Sequence, residues 1–99
     1  MIKHIVMWKI KGMNEEDKCN NCKQLIKMLE GLKHVIPEIQ EIEAGLDFSK
    51  TDASYDVALY SSFESQENLE KYKIHPEHVK VAEFLKGIAL ERKVVDYEC

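Results

Sequence analysis

The stretch Leu69-Glu-Lys-Tyr72-Lys-Ile-His75-Pro76-Glu-His78 decides how the second half of this chain folds. Ser65 is a good N-cap, and the residues after it read as a short helix through Tyr72. His75 precedes a proline, whose ring pushes the preceding residue out of the helical region. Pro76 then suits the first position of a new helix, where an absent N–H costs nothing, and Glu77 suits the positive end of its dipole. The segment is therefore a pair of helices with a corner at His75. The second is expected to reach about Lys86, with Gly87 loosening its end.

Working outward, residues 90–98 alternate as a strand, Val95 and Tyr97 against Val94 and Asp96. Upstream, Tyr55 to Phe63 reads as another strand. Tyr55, Val57, Leu59, Ser61 and Phe63 share one face, and Ala58 and Tyr60 the other. Residues 47–54 form a polar loop. Ile39 to Leu46 is a strand with Ile42, Ala44 and Leu46 on one side; Glu41 and Glu43, with nearby Glu38, read as a solvated acidic face. Pro37 stops a helix predicted over residues 15–34. Asn14 caps it, Glu15, Glu16 and Asp17 suit its dipole, and Cys19, Cys22, Ile26, Leu29 and Leu32 form its apolar stripe. Residues 2–10 open the chain as a strand, with Ile2, His4, Val6, Trp8 and Ile10 on one face and Ile5 and Met7 on the other. The order is strand, helix, strand, strand, helical pair, strand. That is the split βαβ pattern of an α+β, ferredoxin-like fold, a four-stranded antiparallel sheet with helices on one face.

With 99 residues the chain fits one domain spanning residues 1–99. Hydrophobic residues at 44% and charged residues at 32% are the balance of a globular protein. The formal net charge of −4, with no basic block, argues against a nucleic-acid partner. No apolar run can cross a membrane. Lysines interrupt the opening hydrophobics, no secretion signal is recognisable, and a cytoplasmic location is expected. Three cysteines, Cys19, Cys22 and Cys99, fit reduced thiols. Cys19-Asn-Asn-Cys22 has redox or metal spacing, but there is no second pair to complete a zinc site. Both cysteines fall on the helical stripe, which reads as core.

Strands one and three carry apolar residues on both faces. Helices cover one face; the other is an apolar patch of the kind that marks an interface. A two-fold copy presenting the same face covers it, so a homodimer through sheet faces is expected, two sheets enclosing a barrel. Periodicity does not say which face points to the helices.

His78 shares a helical face with Val81, Ala82 and Leu85, so it is partly desolvated and favours the neutral imidazole. Tyr72 and His75 lie just before that helix, and His4 can approach His78 if its strand face carries the helices. A neutral imidazole can remove a proton next to a carbonyl while a tyrosine hydroxyl holds the carbonyl oxygen. No metal, nucleotide or other cofactor is called for. The plainer reading has His75 and His78 satisfying backbone groups and Tyr72 simply packing.

The ordered set Ile2-Lys-His4-Ile-Val-Met-Trp8-Lys, Gly45-Leu-Asp-Phe-Ser, Tyr55-Asp56-Val57, Ser62-Phe63-Glu64-Ser65, Leu69 to His78 and Val95-Asp96-Tyr97 resembles the stress-responsive A/B barrel, or Dabb, family over nearly the whole chain. The resemblance implies a dimeric α/β barrel. It also implies a pocket for a small apolar or aromatic molecule near His78, lined by the position matching His4; His75 and Trp8 are further candidate lining residues, and Trp8, if it points inward, narrows the pocket. Some plant members are cofactor-independent polyketide cyclases. In these the positions matching His78 and Tyr72 act as general base and substrate anchor, which makes a lyase or isomerase the alternative function. A stress-related structural or oligomeric protein without a small-molecule site is a further alternative.

Overall fold

The computed structural model describes all 99 residues. The elements are β1 (Ile2–Ile10), α1 (Glu15–Gly31) with a following 3-10 turn (Leu32–His34), β2 (Glu41–Leu46), β3 (Val57–Phe63), α2 (Gln66–Ile74), α3 (Pro76–Ile88) and β4 (Ala89–Glu98). The four strands form one antiparallel sheet in the order β2-β3-β1-β4, the ferredoxin-like topology. The helices lie over the face bearing Ile2, His4, Val6, Trp8 and Ile10, all buried, together with Val57, Leu59, Ser61 and Phe63 of β3. The opposite face presents Ile5, Met7, Ala58, Tyr60, Val95 and Tyr97, of which Met7, Ala58, Val95 and Tyr97 are exposed.

Local chemistry explains most boundaries. Asn14 caps α1 through its side chain, which accepts from the Asp17 N–H at 2.8 Å. Ser65 does the same for α2, accepting from the Asn68 N–H at 3.1 Å. At the corner, His75 is extended (φ −62°, ψ 135°), and its Nδ1 accepts from the Glu77 N–H at 3.1 Å. One residue thus ends α2 and caps α3.

The structure corrects the expected pattern in four places. The stripe of α1 buries Leu25 fully, Ile26 only in part, and Cys22 but not Cys19. Two adjacent apolar residues satisfy the same periodicity, and packing against β2 and α3 selects Leu25. Burial pushes the Cys22 thiol up to about 11, which keeps it protonated and inert. Second, α2 extends to Ile74 and α3 past Gly87 to Ile88, and β4 begins at the next residue. Buried Ile88, whose carbonyl accepts from the Lys11 N–H at 2.8 Å, outweighs the glycine. Third, β2 starts at Glu41 because Ile39 closes a turn onto the Ile36 carbonyl. Fourth, Tyr55 leaves the face of Val57. The Asp56 carboxylate accepts from the Ile10 N–H at 2.8 Å and pairs with Lys18 at 3.2 Å, which interrupts the strand. Tyr55 therefore crosses to the outer face, where its hydroxyl donates to Glu91 at 2.7 Å.

Candidate functional site

A cavity of about 400 Å³ opens between α3 and the helix-side face of the sheet. Val6, Trp8 and Leu59 line its floor, and Val81, Ala82 and Leu85 its helical wall. His4, Tyr72 and His78 also line it. Lys86 and Arg92 complete the lining as its charged members.

The corner at His75 is what brings Tyr72 and His78 together. In an unbroken helix, residues six apart sit about 120° from one another around the axis. With the axis broken at His75–Pro76, the two ring centroids lie 4.4 Å apart. The Tyr72 ring also meets Phe63 at 5.0 Å and His4 edge-on at 6.1 Å. Tyr72 is fully buried and its hydroxyl has no hydrogen-bond partner. Burial pushes its phenol far above the ordinary tyrosine range, so it stays protonated and available as a donor. An unmet buried hydroxyl costs about 1–3 kcal/mol, which a ligand oxygen would recover. The buried indole Nε1 of Trp8 is likewise unpaired.

The histidine tautomers follow from their partners. Nδ1 of His78 lies 3.0 Å from the Lys73 carbonyl oxygen. A carbonyl only accepts, so Nδ1 carries the proton and Nε2 keeps a lone pair. Nδ1 of His4 meets the Asp96 carboxylate, which assigns the same tautomer. Burial pushes both imidazoles below the ordinary histidine value of 6.5. The hydrogen bonds donated to Asp96 and to the Lys73 carbonyl oppose that shift without overcoming it. Both rings are therefore neutral at pH 7.

His75 takes no part in this cluster. It does not line the cavity, because its Nδ1 is committed to the α3 cap. His75→Ala is expected to lower stability in urea by about 0.5–2 kcal/mol, the usual cost of losing a cap, without altering any ligand affinity. A changed affinity at unchanged stability would reverse that assignment.

Asp96 and Arg92 belong to this site, though no motif in the sequence marks either as a site residue. Both sit on the helix-side face of β4, Asp96 opposite His4 and Arg92 opposite Trp8. Asp96 alternates with Val95 and Tyr97, so its face was readable. Its partner depends on the β1–β4 register, which no local signal carries.

A sequence model described as "Stress Responsive A/B Barrel Domain", Dabb, matches residues 2–99. The chain belongs to the Dabb family. A Bacteroides fragilis protein, described as dimeric, ferredoxin-like and of unknown function, is 32% identical to this Dabb domain. The match covers 99% of this chain and 95% of the other, with a TM-score of 0.90. An Arabidopsis thaliana protein is 28% identical over 100% of this chain and 95% of its own, TM-score 0.81. The fold is shared with a hydroxynitrile lyase from Passiflora edulis at 20% identity and TM-score 0.81, covering 97% of this Dabb domain and 90% of the lyase. No curated protein matches the chain in sequence. No helix of this Dabb domain is long and apolar enough to cross a membrane.

Proposed function

We propose that this Dabb domain binds a small, mainly apolar or aromatic molecule in the cavity between α3 and the sheet, as one half of a homodimer joined through the outer sheet faces. The carrying observation is the cavity itself, open to solvent, mostly apolar, and reaching His78 and Tyr72. A sealed histidine bonded only to backbone would have left nowhere for a ligand. The homodimer is supported by the exposed Met7, Val95 and Tyr97 on the face the helices leave bare, and by the Bacteroides relative's description as dimeric.

Trp8 is the sole tryptophan and lines the cavity floor, so its fluorescence reports occupancy. Titration with 2-naphthol is expected to quench it saturably. Ala82→Phe fills the cavity from the helical wall and is expected to abolish the saturable phase with the thermal midpoint held or raised. Equal binding by wild type and A82F would place the ligand elsewhere.

The tautomer of His78 favours a second reading in which binding is followed by proton transfer. Nε2 takes a proton from a carbon flanked by carbonyls, the Tyr72 hydroxyl donates to the developing enolate oxygen, and the pair serves a cofactor-free lyase, isomerase or cyclase. The support is the 4.4 Å ring contact together with the uncommitted phenol.

A further inference from the structure

The charged residues on the cavity wall are unlike the rest of the chain. The protein carries a formal charge of −4. Yet the two charged side chains that line the cavity, Lys86 and Arg92, are both cationic, and no carboxylate lines it. They also differ from each other. Lys86 is paired with Glu83 at 3.1 Å. Arg92 has no ion pair and no side-chain hydrogen bond; seven lysines share that state, but none of them lines the cavity. The unpartnered guanidinium therefore stands at the edge of an apolar cavity.

Its position is set by the ladder. Arg92 lies opposite Trp8 on β1, on the face toward the helices. Trp8 is 3% exposed, and its indole N–H is buried without an acceptor. Two strands thus bring together, at one register position, a cation with a forked set of donors and a residue whose N–H is unmet. The positive charge of Arg92 is felt at His4, Tyr72 and His78 alike, so it acts across the whole polar end of the cavity.

We infer that the cavity selects an anionic ligand, an aromatic or alkyl body carrying one carboxylate, with Arg92 as the residue that pairs with the carboxylate. This rests on the proposed ligand cavity and narrows what fills it. The apolar floor and helical wall take the body. The carboxylate accepts from the guanidinium, a geometry suited to two parallel hydrogen bonds. Lys86, already engaged with Glu83, adds charge at the mouth and attracts anions to it. The plainer role for Arg92, a charge that blunts pairing along the exposed β4 edge, predicts no preference for anions.

The matched probes 2-naphthoate and 2-naphthamide separate these cases, because they share a body and differ in charge. Wild-type protein, followed by Trp8 fluorescence near neutral pH, is expected to bind naphthoate about tenfold more tightly, as a charge-assisted hydrogen bond provides. R92Q should bring the two probes to equal affinity by weakening naphthoate and leaving naphthamide unchanged. R92K should keep part of the preference, K86Q most of it, and added salt should shrink it. Unchanged naphthamide binding certifies that each variant still folds. Equal affinities in wild type, or a preference that survives R92Q, overturn the anion inference and leave the ligand cavity standing. Failure of both probes to bind wild-type protein overturns the cavity reading along with it.

Discussion

His78→Gln is expected to slow deuterium exchange at the carbon between the carbonyls of an aryl 1,3-diketone, such as benzoylacetone, by about 10²–10⁴-fold relative to wild type. Glutamine is chosen because its amide can still donate to the Lys73 carbonyl, the bond that Nδ1 makes now, while it has no basic nitrogen to replace Nε2. Loss of rate then reports loss of the base and not collapse of the corner. Tyr72→Phe leaves the base intact and removes the oxygen-holding donor, so a smaller loss is expected from it. The pH dependence has a defined sign. His78 is pushed below 6.5 by burial, so the neutral base persists into mildly acidic solution and the rate should begin to fall only below that value. The same shift bears on stability. Because His4 and His78 both resist protonation in the fold, the unfolded chain takes up protons first as pH drops through 6.5. Their contribution is complete above that pH and is lost as pH falls toward the lower folded values. An H78Q variant that exchanges the diketone at the wild-type rate would falsify the proton-transfer reading.

Ile5→Glu is expected to convert the protein from a dimer to a monomer at micromolar concentration. Ile5 lies in β1, one of the two interior strands, on the outer face between Tyr60 of β3 and Val95 of β4. In a two-fold packing of outer faces both copies bring the new carboxylate into one apolar layer. A buried charge without a partner costs about 3–5 kcal/mol, equivalent to about 10²–10⁴ in the dissociation constant. Sedimentation velocity reads the change directly. Ile5→Val, with similar shape and no charge, should remain dimeric. The cavity lies on the helix side of the sheet, away from the outer face that carries Ile5, so I5E should still bind 2-naphthol, which separates assembly from ligand binding. A wild-type protein that sediments as a monomer at micromolar concentration, or an I5E protein that associates like wild type, removes the sheet-face dimer.

The features legible in the sequence are those with local causes. Pre-proline sterics at His75 break the helix whatever surrounds it, and the observed extended conformation of His75 follows. Strict alternation in β1 groups His4, Val6 and Trp8 on one face, and the structure keeps that grouping. What alternation lacks is a sign, since both faces of β1 are apolar. The helices decide that His4 points inward and Ile5 outward, and packing is a property of the whole chain. Tyr55 departs from its expected face for a related reason. Its parity with Val57 holds only if the strand is continuous, and Asp56 interrupts it by accepting the Ile10 N–H. His75 looked like a site residue by type and spacing, yet its nitrogen is spent on the Glu77 amide. The pairing of His4 with Asp96 joins residues near opposite ends of the chain, beyond the reach of any motif.

The junction at Ile88–Ala89, where α3 passes into β4 without a loop, gives the cavity a mechanical character. Its helical wall and an edge strand of the sheet are one unbroken length of chain. A molecule that wedges α3 outward must also pull on the hydrogen bonds between β4 and β1 at the Lys9/Ile10 irregularity, where their register already slips. Entry of a bulky guest is thereby tied to fraying of an edge strand, a motion drawn from the least stable part of a sheet. The doorway and the hem of the sheet loosen together.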